Sequence, residues 1–188
     1  GEFSGYGTAD GEMQWGTAIA IDSTDRLFLA DEKMQRITIF DSENNYVSHW
    51  GTAGSGPNEF DGPSGLAFDA ENNLLVVDHK NHRIQRYTAD GEYIDSFGSE
   101  GSAKGQFNYP WGITTVSDGT IYVADWRNDR IQRFEADGVF IDAHGESGDG
   151  DGQFNRPSSV AVDDDGFIYV ADWQNQRVQV FDKDWNFQ

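Results

Sequence analysis

VADWRNDRIQRF at 123–134 returns 47 residues later as VADWQNQRVQVF (170–181) and stands 47 residues earlier as VVDHKNHRIQRY (76–87). A looser copy, LADEKMQRITIF, occupies 29–40. Gly51, Gly98 and Gly145 open three successive copies, and the copies overlay without a gap. A fixed period of this length marks a solenoid, propeller or array, whose units bury their apolar faces only against one another. Four periods fill the 188 residues, so a single domain, or a segment of one, over 1–188 is expected. Its repeats run at about 4–50, 51–97, 98–144 and 145–188, the last completed by residues 1–3 or by another chain.

The second copy shows what one unit builds. SGLAFDA (64–70) alternates apolar and polar residues, and LLVVDH (74–79) is the apolar run of a strand covered on both faces. RIQRYTA (83–89), an Asp90-Gly91 turn and YIDSF (93–97) complete four short strands. Asp118-Gly119, Asp137-Gly138 and Gly166 fall at matching turns in the other copies, where positive φ is useful. Four antiparallel strands repeated radially form the blade of an all-β propeller. A β-helix has shorter rungs, and leucine-rich or ankyrin repeats carry a helical period that is missing here.

Composition agrees and narrows the function. Aromatic residues at 14% and 22 glycines suit β-sheet with many tight turns. There is no cysteine, hence no disulfide and no thiolate chemistry. No apolar run is long enough for a membrane span. The net charge of −20 repels phosphate backbones and anionic bilayers, so neither nucleic acid nor membrane is an expected partner. The chain opens at Gly1 without Met or an apolar leader and reads as a processed, excised or engineered piece. The compartment stays open, with a soluble, extracellular setting favoured.

The pattern PxG…AxD…(I/L)xVxD…N(H/D/Q)R(I/V)Q resembles the NHL-repeat family of β-propellers. It is clearest in copies two to four and looser in the first, where Gly16 replaces Pro and Met34 replaces Asn. The resemblance implies the propeller fold over essentially the whole chain. It does not select a function, because the family spans protein- and RNA-binding modules, extracellular sensors and a peptide-amidating lyase. The recurring Asp31, Asp78, Asp125 and Asp172, each five residues before Arg36, Arg83, Arg130 and Arg177, read as a ring of blade-locking ion pairs or turn hydrogen bonds. Ile37, Ile84, Ile131 and Val178, with Phe40, Tyr87, Phe134 and Phe181, read as core between blades.

The residues bear on several chemistries. The histidines, His49, His79, His82 and His144, do not reproduce the zinc set that the lyase relatives imply, and zinc needs three or four converging ligands. GDGDG (148–152) and DDDG (163–166) occupy ordinary loop and turn positions, which leaves calcium as a possibility without assigned ligands and no cofactor as the expectation. No GxSxG elbow and no P-loop occurs. The best candidate is aromatic. Trp15, Tyr109, Trp111, Trp126 and Trp173, with Arg127 and Arg156, fall in loops that belong to one face of such a propeller. Trp, Tyr and Arg are recognition anchors.

The expectation is therefore a non-catalytic binding or scaffold module for protein, peptide or glycan. The alternative is a metal-dependent hydrolase or lyase with its site in the central channel. A further alternative is an excised or engineered fragment without a ligand. Four blades are few for a closed ring, and an open arc exposes apolar faces, so homo-oligomeric ring closure is also expected. Phe3 aligns with Trp50 and Phe97 and so with the end of the last blade's outer strand.

Overall fold

The computed structural model describes residues 4–188, so the expected role of Phe3 lies outside the described residues. Three blades are complete four-stranded antiparallel meanders in chain order. Blade 1 comprises Gly16–Ile21, Leu27–Asp31, Arg36–Phe40 and Tyr46–Trp50. Blade 2 comprises Pro63–Phe68, Leu74–Asp78, Arg83–Tyr87 and Tyr93–Phe97. Blade 3 comprises Pro110–Thr115, Ile121–Asp125, Arg130–Phe134 and Phe140–His144. Blade 4 has Pro157–Val162, Ile168–Asp172 and Arg177–Phe181, and its outer strand begins at the bridge from Phe181 to Phe187.

The first strands of successive blades face one another and form the inner wall. Hydroxyl groups tie that wall together across about one period. Thr17 donates to the Pro63 carbonyl at 2.6 Å, Ser64 to Trp111 at 3.1 Å and Thr115 to Phe68 at 2.6 Å. The second strands are buried on both faces in blades 1 to 3, as their continuous apolar character requires. The fourth strands alternate between half-buried and exposed residues on the outside.

Apolar clusters fill each blade-to-blade gap. Phe28, Ile37 and Ile39 of blade 1 meet Leu66, Val76 and Tyr87 of blade 2, and the pattern recurs at the next two gaps. Into each gap the connecting loop inserts one phenylalanine, Phe60, Phe107 or Phe154, with no exposed surface. The preceding glycine makes this possible. At Gly98, φ is +93° and a β-carbon would lie 2.5 Å from the Phe107 ring.

The four-blade set is an open arc. Ile19 of blade 1 is 62% exposed, whereas its equivalents Leu66, Ile113 and Val160 are at most 9% exposed. Val178, expected in the core, is likewise 62% exposed, against 0% for Ile84 at the same position. The residue type suits a core, but no further blade covers it.

Of the expected ion pairs or turn hydrogen bonds, blades 2 to 4 form the Asp–Arg ion pair and blade 1 forms the turn hydrogen bonds. Asp78, Asp125 and Asp172 each take an Arg Nε at 2.8–2.9 Å. In blade 3 the same oxygen, Asp125 Oδ2, also accepts from Asn128 and Gln132. In blade 1, Met34 and Thr38 replace those two donors. The Asp31 carboxylate turns instead to the backbone N–H groups of Gln14, Trp15, Lys33 and Met34. Among the described residues, Arg36 then reaches only the carbonyls of Ala9 and Glu12.

Candidate binding site

Two loops of each repeat meet on one rim: the loop before the first strand and the turn between the second and third. The turn is a single 3-10 turn in blades 2 and 3, at His79–Asn81 and Trp126–Asn128. It ends on a left-handed residue, His82 at φ 55° and Asp129 at φ 53°. The side chain of that residue holds the next blade's entry loop. His82 Nδ1 accepts the Tyr109 N–H at 3.1 Å, and Asp129 Oδ1 accepts the Arg156 N–H at 2.8 Å. Accepting through Nδ1 leaves the proton of neutral His82 on Nε2. The Arg127 N–H closes the arrangement on the Asn108 carbonyl at 2.9 Å.

Tyr109 and Arg156 themselves sit in the left-handed region, at φ 54° and 60°, where blade 2 has Gly62. For a side-chain-bearing residue that conformation costs roughly 1–2 kcal/mol. Such strain gathers at ligand sites, where the neighbouring structure holds it in place.

This scaffold lines up three indoles across neighbouring blades. Trp111 and Trp126 have ring centres 6.3 Å apart, and Trp126 and Trp173 are 6.2 Å apart, with successive tilts of 45° and 41°. With Ser158 they line a half-open cavity of about 280 Å³ beside the inner wall. Trp173 is exposed, while Trp111 and Trp126 are half-buried. The Arg127 guanidinium lies 4.1 Å from the Tyr109 ring centre and 5.5 Å from that of Trp126. The Arg156 guanidinium lies 4.9 Å from Trp126. Six of the seven expected residues thus come together. Trp15 stands apart, exposed beside a separate polar hollow lined by Glu32, Lys33, Gln35 and Lys80.

His79 is a member that sequence reasoning missed. It is buried under the cluster, edge-on to Trp111 at 4.8 Å and to Tyr109 at 5.8 Å, and neither ring nitrogen has a hydrogen-bond partner among the described residues. Burial pushes its pKa down from 6.5 to about 4, against the pull of Glu32. At 3.8 Å, Glu32 is too far to hydrogen-bond His79 and gives its charge to Lys80 at 2.9 Å. Its signal in the sequence was positional: His79 occupies the slot of Trp126 and Trp173. Ser158, in the slot of Trp111, was legible the same way. Among the described residues no group of three or more His, Asp or Glu side chains converges to hold a metal ion.

Comparison with known families fits this architecture. Residues 107–134 and 154–181 each match the NHL repeat. The chain carries NHL repeats. Residues 17–98 match a family described as a 6-bladed beta-propeller. No curated protein matches the chain in sequence. Among solved structures, a catalytically inactive virginiamycin B lyase from Staphylococcus aureus with quinupristin aligns at a TM-score of 0.71 and 16% identity, over 92% of this chain and 54% of that one. Kuenenia stuttgartiensis hydrazine synthase aligns at 0.68 and 16%, over 95% and 49%. A protein of unknown function from Bacteroides thetaiotaomicron aligns at 0.67 and 20%, over 88% and 46%. The chain spans about half the length of these neighbours, and identities this low show the fold alone.

Proposed function

We propose that this NHL propeller arc is a recognition module that captures a protein, peptide or glycan at the Trp111–Trp126–Trp173 pocket. The observation that carries the reading is the pocket itself, apolar and built of recognition-type residues on a rim made rigid by inter-blade hydrogen bonds. The strained Tyr109 and Arg156 beside it add support, since neither is needed to close the turn that Gly62 closes in blade 2. Peptide and glycan arrays test the reading, probed with the chain and with a Trp126→Ala/Trp173→Ala variant of unchanged circular dichroism. Signals that disappear with the variant support it. Signals that persist at full strength refute it.

The uncovered end faces support a second element of the proposal, ring completion between copies of the chain. Ile19 and Ile21 at one end, and Tyr169 and Val178 at the other, occupy positions that pair across the internal gaps. Two arcs related by a two-fold axis would cover both ends of each. Light scattering at increasing concentration tests this. A dimer that a Tyr169→Asp/Val178→Asp variant dissolves is expected, and a strict monomer contradicts it.

A further inference from the structure

The rim pocket has a charge signature that its apolar lining does not explain. The chain has 33 acidic residues against 13 Lys and Arg. Among the described residues, seven of the nine arginines use the guanidinium in hydrogen bonds to carboxylates or carbonyls. Arg130, for instance, serves Asp125, Ser102, Ala103 and Gln106 together. The two exceptions are Arg127 and Arg156, and both stand at this pocket. Each is laid against aromatic rings instead, and both lie within 5.5 Å of the same Trp126 ring centre. Ring contact restrains a guanidinium plane while leaving its N–H edge unused, and that planar edge matches a carboxylate bidentately. Two like charges beside one indole, neither guanidinium in an ion pair among the described residues, form a receptor for an anion.

Resting on the recognition reading above, we infer that the ligand is a peptide in which a bulky apolar or aromatic side chain lies beside a carboxylate. The side chain enters between Trp111, Trp126 and Trp173, and the carboxylate is held by Arg127 and Arg156. A peptide fits better than a sugar chain because the cavity, about 280 Å³, is at the small end of ligand pockets, roughly 300–1,000 Å³, and suits one side chain. Capture of a carboxylate by fixed donors is a recurrent mode of peptide recognition. The chain's net negative charge opposes an acidic ligand at long range. Beyond about 8 Å at physiological salt that repulsion is screened, and short-range pairing decides.

The test is a titration of indole N–H resonances with N-acetyl-phenylalanine, N-acetyl-phenylalaninamide and glucuronate. The acid should bind roughly 10–100-fold tighter than the amide, the range for hydrogen bonds to a charged group. An Arg127→Gln/Arg156→Gln variant should erase that preference while amide binding persists. Arg127→Gln alone, at an exposed position, should narrow it. Equal binding of acid and amide overturns the inference and leaves the aromatic recognition reading standing. A preference for glucuronate overturns it in favour of an anionic glycan. No response to any probe refutes both the inference and that reading.

Discussion

Acid should weaken the folded chain through His79, a group buried beneath the aromatic rim. Its two ring nitrogens have no hydrogen-bond partner among the described residues, and burial depresses its pKa from 6.5 to about 4. Glu32 and Asp61 pull the value up, while Lys80 and His82 push it down, and desolvation is the largest influence. Above pH 6.5 the ring is neutral in the folded and unfolded chain and contributes no pH dependence. As pH falls below 6.5 the unfolded chain takes up a proton that the folded chain refuses, so stability drops by about 1.4 kcal/mol per pH unit. The loss levels off near pH 4 at about 3 kcal/mol in total. The assay is urea unfolding followed by circular dichroism at half-unit steps from pH 7.5 to 4.5, for the chain and for His79→Leu at constant ionic strength. Taking the difference removes the titration of groups common to both proteins. The gap between the two should shift in favour of His79→Leu as pH falls. A flat gap would mean that burial does not depress the His79 pKa, and a gap that moves toward the wild type would mean that His79 is protonated and paired with Glu32; either refutes the reasoning.

The Asp–Arg contrast between blades predicts different couplings. A double-mutant cycle on Asp125→Asn and Arg130→Gln should return about 0.5–3 kcal/mol, the range for contacting residues in one network. The cycle on Asp31→Asn and Arg36→Gln should return near zero, because those side chains do not pair. Gly112→Ala should cost about 1–3 kcal/mol in thermal or urea unfolding. Its β-carbon would lie 2.7 Å from the Ser158 carbonyl oxygen and 2.8 Å from the Ser159 α-carbon, and both are backbone atoms. The same change should weaken ligand capture, since it pushes Trp111 away from Ser158.

Much of the fold was legible because the 47-residue period forces equivalent residues into equivalent places. Once copies two to four were aligned, Trp126 and Trp173 had to occupy neighbouring turns, and Tyr109 and Arg156 neighbouring entry loops. What position alone did not reveal was which neighbours a residue meets. Trp15 holds the same slot as Tyr109, yet the next blade offers it Gly62 and a buried His79 instead of an aromatic row. Val178 has a core side chain but lacks a covering blade. The turned Asp31 carboxylate was foreshadowed by Met34 and Thr38, which remove two donors from its blade. His79 was the hardest to read, because its burial follows from Trp111 and Tyr109 closing over it from the adjacent blade.

The most direct test of the rim as a recognition site uses the six tryptophans as reporters. The chain is labelled with 5-fluorotryptophan, assigned by single substitutions, and saturated with the strongest ligand from the arrays. The fluorine resonances of Trp111, Trp126 and Trp173 should move together, while those of Trp15, Trp50 and Trp185 stay in place. Shifts centred on Trp15, or spread evenly over all six, would contradict the account.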